Sequence, residues 1–225
     1  MRFFKFFIGV YLMFFVSSRI SAAAISKDSL KPFSFLGIDV GKTIFPNIFT
    51  KTRGSFALEV DYRFSLKRKI FVYASAGYND FRFDHIYPNV NQRSTGGFGK
   101  LGIELPLTKL DRKYNQTFVA IGFSLAALNV RNFGNFRIPG DYFETPEKKY
   151  DLTNWHLGTQ IYLQAITPVY KDFFIGIKVF SSYLLNSATP NSLENIRFNM
   201  PGMGYFHLNR SYSAGLNFQI IYQLR

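Results

Sequence analysis

The chain has 225 residues, no cysteine, a formal charge of +13, and 27 Phe, 14 Tyr and one Trp. That length is one domain's worth, and the absence of cysteine excludes a disulfide-stapled scaffold. The basic balance points to anionic partners, but no nucleic-acid motif is present, and for an exported chain the nearest candidates are lipid phosphates.

Residues 1–23 are predicted to be a secretory signal peptide, with residues 24–225 as a single barrel domain. Arg2 and Lys5 form a positive start, and Phe6 to Val16 is an apolar run too short for a spanning helix. Ser21-Ala22-Ala23 supplies small residues before a cut after Ala23, and Ala22-x-Ala24 is an equally legal frame. An uncleaved anchor is the competing reading, and the short apolar run counts against it. Cleavage removes Arg2, Lys5 and Arg19 and takes the charge from +13 to +10. No later stretch is long and apolar enough for a membrane helix.

Eight segments then alternate with a period of two, as strands with one apolar and one polar face do. The first, 34–44, sets Leu36, Ile38 and Val40 against Gly37, Asp39 and Gly41. The second, 55–66, sets Phe56, Leu58, Val60, Tyr62, Phe64 and Leu66 against Ser55, Ala57, Glu59, Asp61, Arg63 and Ser65. The third, 70–81, is apolar on both faces, and its facing stays open. The fourth, 97–107, points Leu101, Ile103, Leu105 and Leu107 away from Lys100, Gly102 and Glu104. The fifth, 117–130, alternates Val119, Ile121, Phe123 and Leu125 with small residues. The sixth, 152–167, sets Trp155, Leu157, Ile161 and Leu163 against His156, Gly158, Gln160 and Gln164. The seventh, 173–186, sets Phe173, Ile175, Ile177, Val179 and Tyr183 against Gly176, Lys178 and Ser182. The eighth, 210–224, alternates Tyr212, Ala214, Leu216, Phe218, Ile220, Tyr222 and Leu224 with a mostly polar set that includes Asn217 and Gln219.

The connections 67–69, 108–116 and 168–172 are short; 45–53, 82–96, 131–151 and 187–209 are long. In bacterial barrels short turns face the periplasm and long loops face outside, and an even strand count leaves both termini on the periplasmic side. The prediction is an all-β fold: an eight-stranded antiparallel transmembrane β-barrel, apolar toward lipid and polar toward the lumen. A soluble lipocalin-like barrel would turn its apolar faces inward, and the charged face of the second strand argues against it. Eight strands enclose a space that side chains fill. The inward set is Asp39, Glu59, Asp61, Arg63, Lys100, Glu104, Gln160, Gln164, Lys178, Asn217 and Gln219. Buried charges need partners, so this set predicts a polar plug centred on Glu59, Arg63, Glu104 and Lys178, and it counts against a general porin.

Gly37-Ile38-Asp39-Val40, Glu59, Gly77-Tyr78, Gly102-Ile103-Glu104 and above all Pro201-Gly202-Met203-Gly204 resemble an uncharacterised family of small outer-membrane barrels from Bacteroidota. The resemblance covers nearly all of the chain after the signal. It implies an eight-stranded barrel and brings no catalytic residues. The final Leu224-Arg225 departs from the terminal aromatic typical of proteobacterial barrels.

Other motifs carry less. Gly37 to Thr43 misses a phosphate-binding loop by one residue of spacing, and no helix pattern follows. His85, His156 and His207 map to the outer end of the barrel without metal-ligand spacing. Asp141, Glu144, Glu147 and Asp151 lack the order of a calcium loop. His207 and Ser211 are the nearest match to a lipid-modifying pair, and no acidic residue flanks them. The expected function is a non-enzymatic outer-membrane barrel with a structural or interaction role and a lumen closed by polar side chains. The alternatives are a lipid A-modifying enzyme and a narrow channel. No cofactor or metal is expected. The expected partners are outer-membrane lipid, lipopolysaccharide and the barrel-assembly machinery.

Overall fold

The computed structural model describes residues 34–41, 55–66, 70–82, 90–108, 117–136, 148–186, 197–207 and 211–224. The predicted signal peptide lies outside them. The strands are β1 Ser34–Asp39, β2 Phe56–Leu66, β3 Ile70–Arg82, β4 Val90–Pro106, β5 Phe118–Phe136, β6 Lys148–Tyr170, β7 Phe173–Leu184, β8 Arg197–Met200, β9 Gly204–His207 and β10 Tyr212–Leu224. Eight of these close into one antiparallel barrel in the order β1-β10-β7-β6-β5-β4-β3-β2. This is the predicted eight-stranded transmembrane barrel. β8 and β9 pair with each other as a separate hairpin in the connection from β7 to β10.

The facing follows from residue chemistry. Lys100 is 1% exposed while the adjacent Leu101 is 68% exposed, and the same alternation runs through β2 and β7. A folded chain that buries its charges and presents Leu, Ile and Val outward is matched to lipid, not water. Closure supplies partners for the backbone groups that an open sheet edge would leave unpaired in an apolar medium. Among the described residues no helix is long and apolar enough to cross a membrane. β3, ambiguous in sequence, turns Phe71, Tyr73, Ser75, Asn79 and Phe81 inward and Ile70, Val72 and Tyr78 outward.

Several boundaries differ from expectation. β1 is described as strand to Asp39; the Val40 amide still donates to the Phe218 carbonyl at 3.0 Å, the Asp39 carboxylate accepts the Gly41 amide at 3.0 Å, and residues 42–44 of the expected strand lie outside the described residues. β4 begins at Val90, β5 runs to Phe136 and β6 begins at Lys148, so much of the expected loops 82–96 and 131–151 is strand. The expected loop 187–209 holds the β8–β9 hairpin. At the other end, β6 continues to Tyr170 through an irregularity at Pro168, and Lys171-Asp172 makes the tight turn, with Lys171 at φ 45°.

Candidate functional site

The side chains that could carry function converge inside the barrel, in three layers. At the end with the short turns, Phe35, Phe71, Phe118, Ile166, Phe174 and Ile221 form an apolar floor. Phe35 meets Phe174 edge-on at 5.5 Å between ring centroids, and Phe71 stacks on Phe118 at 6.3 Å. Burying each of these side chains stabilises the fold by about 1.5–3 kcal/mol.

The middle layer is polar and buried. Glu59, Asp61 and Arg63 alternate along β2 and so share its inner face. Arg63 forms ion pairs with Asp61 at 2.6 Å and Glu104 at 3.0 Å. Its Nη2 also donates to Gln219 Oε1 at 2.9 Å and Gln164 Oε1 at 3.1 Å. Gln219 Nε2 donates onward to Asp61 Oδ1 at 2.7 Å, and Tyr162 OH donates to Glu104 Oε1 at 2.8 Å. Beside this cluster, Glu59 Oε1 accepts from Tyr73 OH at 3.0 Å, Ser75 Oγ at 2.9 Å and Lys100 Nζ at 2.9 Å. Lys178 Nζ lies 4.6 Å from the ring centroids of both Tyr73 and Tyr162 and donates to Tyr73 OH at 3.1 Å. The two tyrosines therefore join the carboxylate clusters to each other, with the Lys178 amine held between their aromatic faces. Two glycines make room. A Cβ at Gly37 would lie 2.6 Å from the Asp61 carboxylate, and one at Gly122 would strike the Tyr162 ring.

The outer layer is apolar again, and the β8–β9 hairpin completes it. Met200 and Met203 pack against Phe98, Ala126, Leu128, Val130 and Leu184. The tip needs glycine at 202: φ is 72°, and a Cβ there would meet the Phe98 ring. Gln160 ties this cap to the polar layer. Its Nε2 donates to Ser182 Oγ at 2.9 Å and to the Gly202 carbonyl at 3.4 Å, while its Oε1 accepts from Lys100 at 3.3 Å.

The structure places Asp39, Glu59, Asp61, Arg63, Lys100, Glu104, Gln160 and Lys178 all inside the barrel. Arg63 gathers Asp61 and Glu104, Lys100 gathers Glu59 and Gln160, and Asp39 accepts the Gly41 amide at the end of β1. Lys178 reaches tyrosines where the sequence grouped it with Glu59, Arg63 and Glu104. Sequence reasoning missed Tyr73, Tyr162 and the hairpin tip. Tyr162 shares the parity of Gln160 and Gln164, a signal that could have marked it.

His156 is buried near the outer end, its Nδ1 3.1 Å from the Asn186 carbonyl. His85 and the side chain of His207 lie outside the described residues, so the His207–Ser211 pair that the sequence disfavoured falls outside them too. Of the loop acids, only Asp151 is described, and it pairs with Arg131 at 2.6 Å. Asp151 holds its proton less tightly than an ordinary aspartate because Arg131 hydrogen-bonds its carboxylate. Among the described residues no cluster of His, Asp and Glu is arranged to hold a metal.

The fold is similar to that of a major outer membrane protein from Thermus thermophilus, with a TM-score of 0.51 at 11% identity over 86% of this chain and 99% of that one. The attachment invasion locus protein Ail of Yersinia pestis aligns at 0.40 and 8% identity, over 86% of this chain and 97% of that one. The N-terminal barrel domain of Pseudomonas aeruginosa OprF aligns at 0.36 and 8%, over 86% and 97%. No curated protein matches this chain in sequence. Residues 3–225 match a family described as a domain of unknown function, DUF6048, and the chain belongs to that family.

Proposed function

We propose that the chain is an outer-membrane barrel with a structural or interaction role, exported by a cleaved signal peptide over residues 1–23, and closed to solutes. The observation that carries this reading is the filled lumen. An apolar floor, a balanced polar layer of Glu59, Asp61, Glu104, Arg63, Lys100 and Lys178, and a methionine-tipped cap follow one another along the barrel axis. Eight strands leave little interior beyond side-chain volume, and the buried side chains of these three layers support a filled lumen. The long-strand end faces outside in this reading, with the termini at the periplasmic side. The Pro201–Gly204 tip and the Gly37–Val40 run support a source among the Bacteroidota.

Planar-bilayer recording tests the closed lumen. The expected result is insertion without a steady conductance. A stable nanosiemens-scale pore would overturn the plug and put a channel in its place.

A further inference from the structure

Beyond the barrel rim, the extended parts of β4, β5 and β6, together with the end of β3, present an outward-facing row in which Arg82, Arg93, Phe133 and Asp151 are cross-strand neighbours. Phe133 is flanked by two guanidiniums, with Arg93 Cζ 5.7 Å and Arg131 Cζ 5.1 Å from its ring centroid. Asp80 holds Arg93 from one side and Asp151 holds Arg131 from the other. One ring is thus flanked by two guanidiniums, each held in place by an aspartate. A cleft of about 710 Å³ opens on it, lined among others by Arg82, Arg93, Lys149, Asn91, Asn135 and Phe133. Arg82 and Lys149 have no acidic partner among the described residues, so the cleft carries a surplus of positive charge beside amide donors.

Its height selects the occupant. Tyr78 and Trp155, both strongly exposed, belong to one cross-strand row through Gly97 and Asn129. The row from Arg82 to Asp151 lies four residues further out on each of these strands and on the same outward parity. Tyr and Trp mark the membrane interface, and four residues of strand rise about 13 Å, less once tilted. A cleft on the lipid-facing side, one step above the aromatic row, meets headgroups.

We infer that this cleft binds the phosphate groups of a phosphorylated glycolipid in the outer leaflet, with Arg82 and Lys149 as the direct phosphate ligands. Arg93 and the amides of Asn91 and Asn135 complete the site. Guanidinium and amide donors suit phosphate oxygens, and Arg93, held by Asp80, loses little freedom on binding. The inference rests on the membrane reading above, because only that reading puts the row at headgroup height.

The test uses the full chain in detergent micelles, with native mass spectrometry counting bound lipid. The probes are bisphosphorylated lipid A and the same lipid with both phosphates removed. Arg82→Gln with Lys149→Gln is expected to weaken the bisphosphorylated lipid by about tenfold, the scale of two lost solvent-exposed ion pairs. Lys171→Asn, at the turn on the opposite end, is expected to leave it unchanged. Equal binding by the double variant, or equal binding of the dephosphorylated lipid to wild type, would overturn the inference. So would displacement of the lipid by inorganic phosphate at equal concentration, which would assign the cleft to free phosphate. Wild type that inserts into bilayers without conducting keeps the closed-barrel reading intact even if the lipid result is negative. Failure to insert removes that reading instead.

Discussion

Replacing Arg63 by Met isolates the centre of the polar layer. The substitution keeps most of the stem's apolar volume and deletes the guanidinium. Asp61 and Glu104, which Arg63 meets at 2.6 and 3.0 Å, are left as buried carboxylates without their counter-ion. Gln164 and Gln219 each lose a charged donor. Removing one partner of a buried pair costs about 3–5 kcal/mol, mostly the penalty of the charge left behind. The extra hydrogen bonds belong to the same network and are not added separately. That loss is a large share of a typical total stability of about 5–15 kcal/mol. Urea titration in lipid vesicles measures it, with Trp155 as reporter: it is the chain's single tryptophan and is 70% exposed on the outward face. The triple change Arg63→Met, Asp61→Asn, Glu104→Gln removes the stranded charges and should recover most of the loss. A single variant as stable as wild type, or a triple variant no better than the single, would refute the account of a charge-paired plug.

Leu58→Arg and Val60→Arg put a cation on the lipid face of β2 and should each cost about 2–4 kcal/mol of folding in vesicles, whereas Thr153→Arg, above the aromatic row, should fold normally; equal yields would show the facing is wrong. Met203→Asp buries a charge in the outer apolar layer and should expose the hairpin to trypsin at Arg197 and Arg210 while the bilayer stays non-conducting, because the polar layer and floor remain. Asn217 is buried, and neither end of its carboxamide has a hydrogen-bond partner among the described residues. Asn217→Leu should therefore be neutral or stabilising by urea titration, and a loss above about 2 kcal/mol would show the amide is satisfied. Asp151 should titrate below the ordinary aspartate value in carboxyl NMR, and its contribution to holding β5 on β6 is present above pH about 4 and lost as pH falls through the lowered folded value. Arg131→Gln should return Asp151 to the ordinary range.

What could be read from sequence depended on whether the two faces of a strand differ in chemistry. On β2, Leu58, Val60 and Tyr62 face out while Glu59, Asp61 and Arg63 face in, and the alternation reads directly. On β3 the floor takes Phe71, the tyrosine bridge takes Tyr73 and Phe81 packs against Ala57, all inside, so both faces are apolar and the pattern is silent. Beyond the aromatic row both faces of β4 are polar, although Gln92 and Ser94 on the inner face are buried. Asn91, Gln92, Arg93 and Ser94 carry no alternation, and the strand extensions passed for loop. β8 and β9 are four residues each, too short for periodicity, although Pro201-Gly202 marked the turn between them. Parity showed which side chains enter the lumen. It could not show that Arg63 would reach across to β4, β6 and β10, because partners over the barrel depend on stagger between strands.

β1 is six residues long, whereas β5, across the barrel, is 19. Among the described residues the barrel is paired least where β1 joins β10 and β2, with six residue pairs on each side. Every strand contributes hydrogen bonds in proportion to its length, so opening the ring there breaks the fewest. The amides of 35–39 and their partners on β10 are therefore expected to exchange hydrogen first, which hydrogen-exchange mass spectrometry in lipid vesicles measures. Phe35 sits at that junction and packs against Phe71, Phe118 and Phe174 in the floor, so a single aromatic side chain clasps the seam from within.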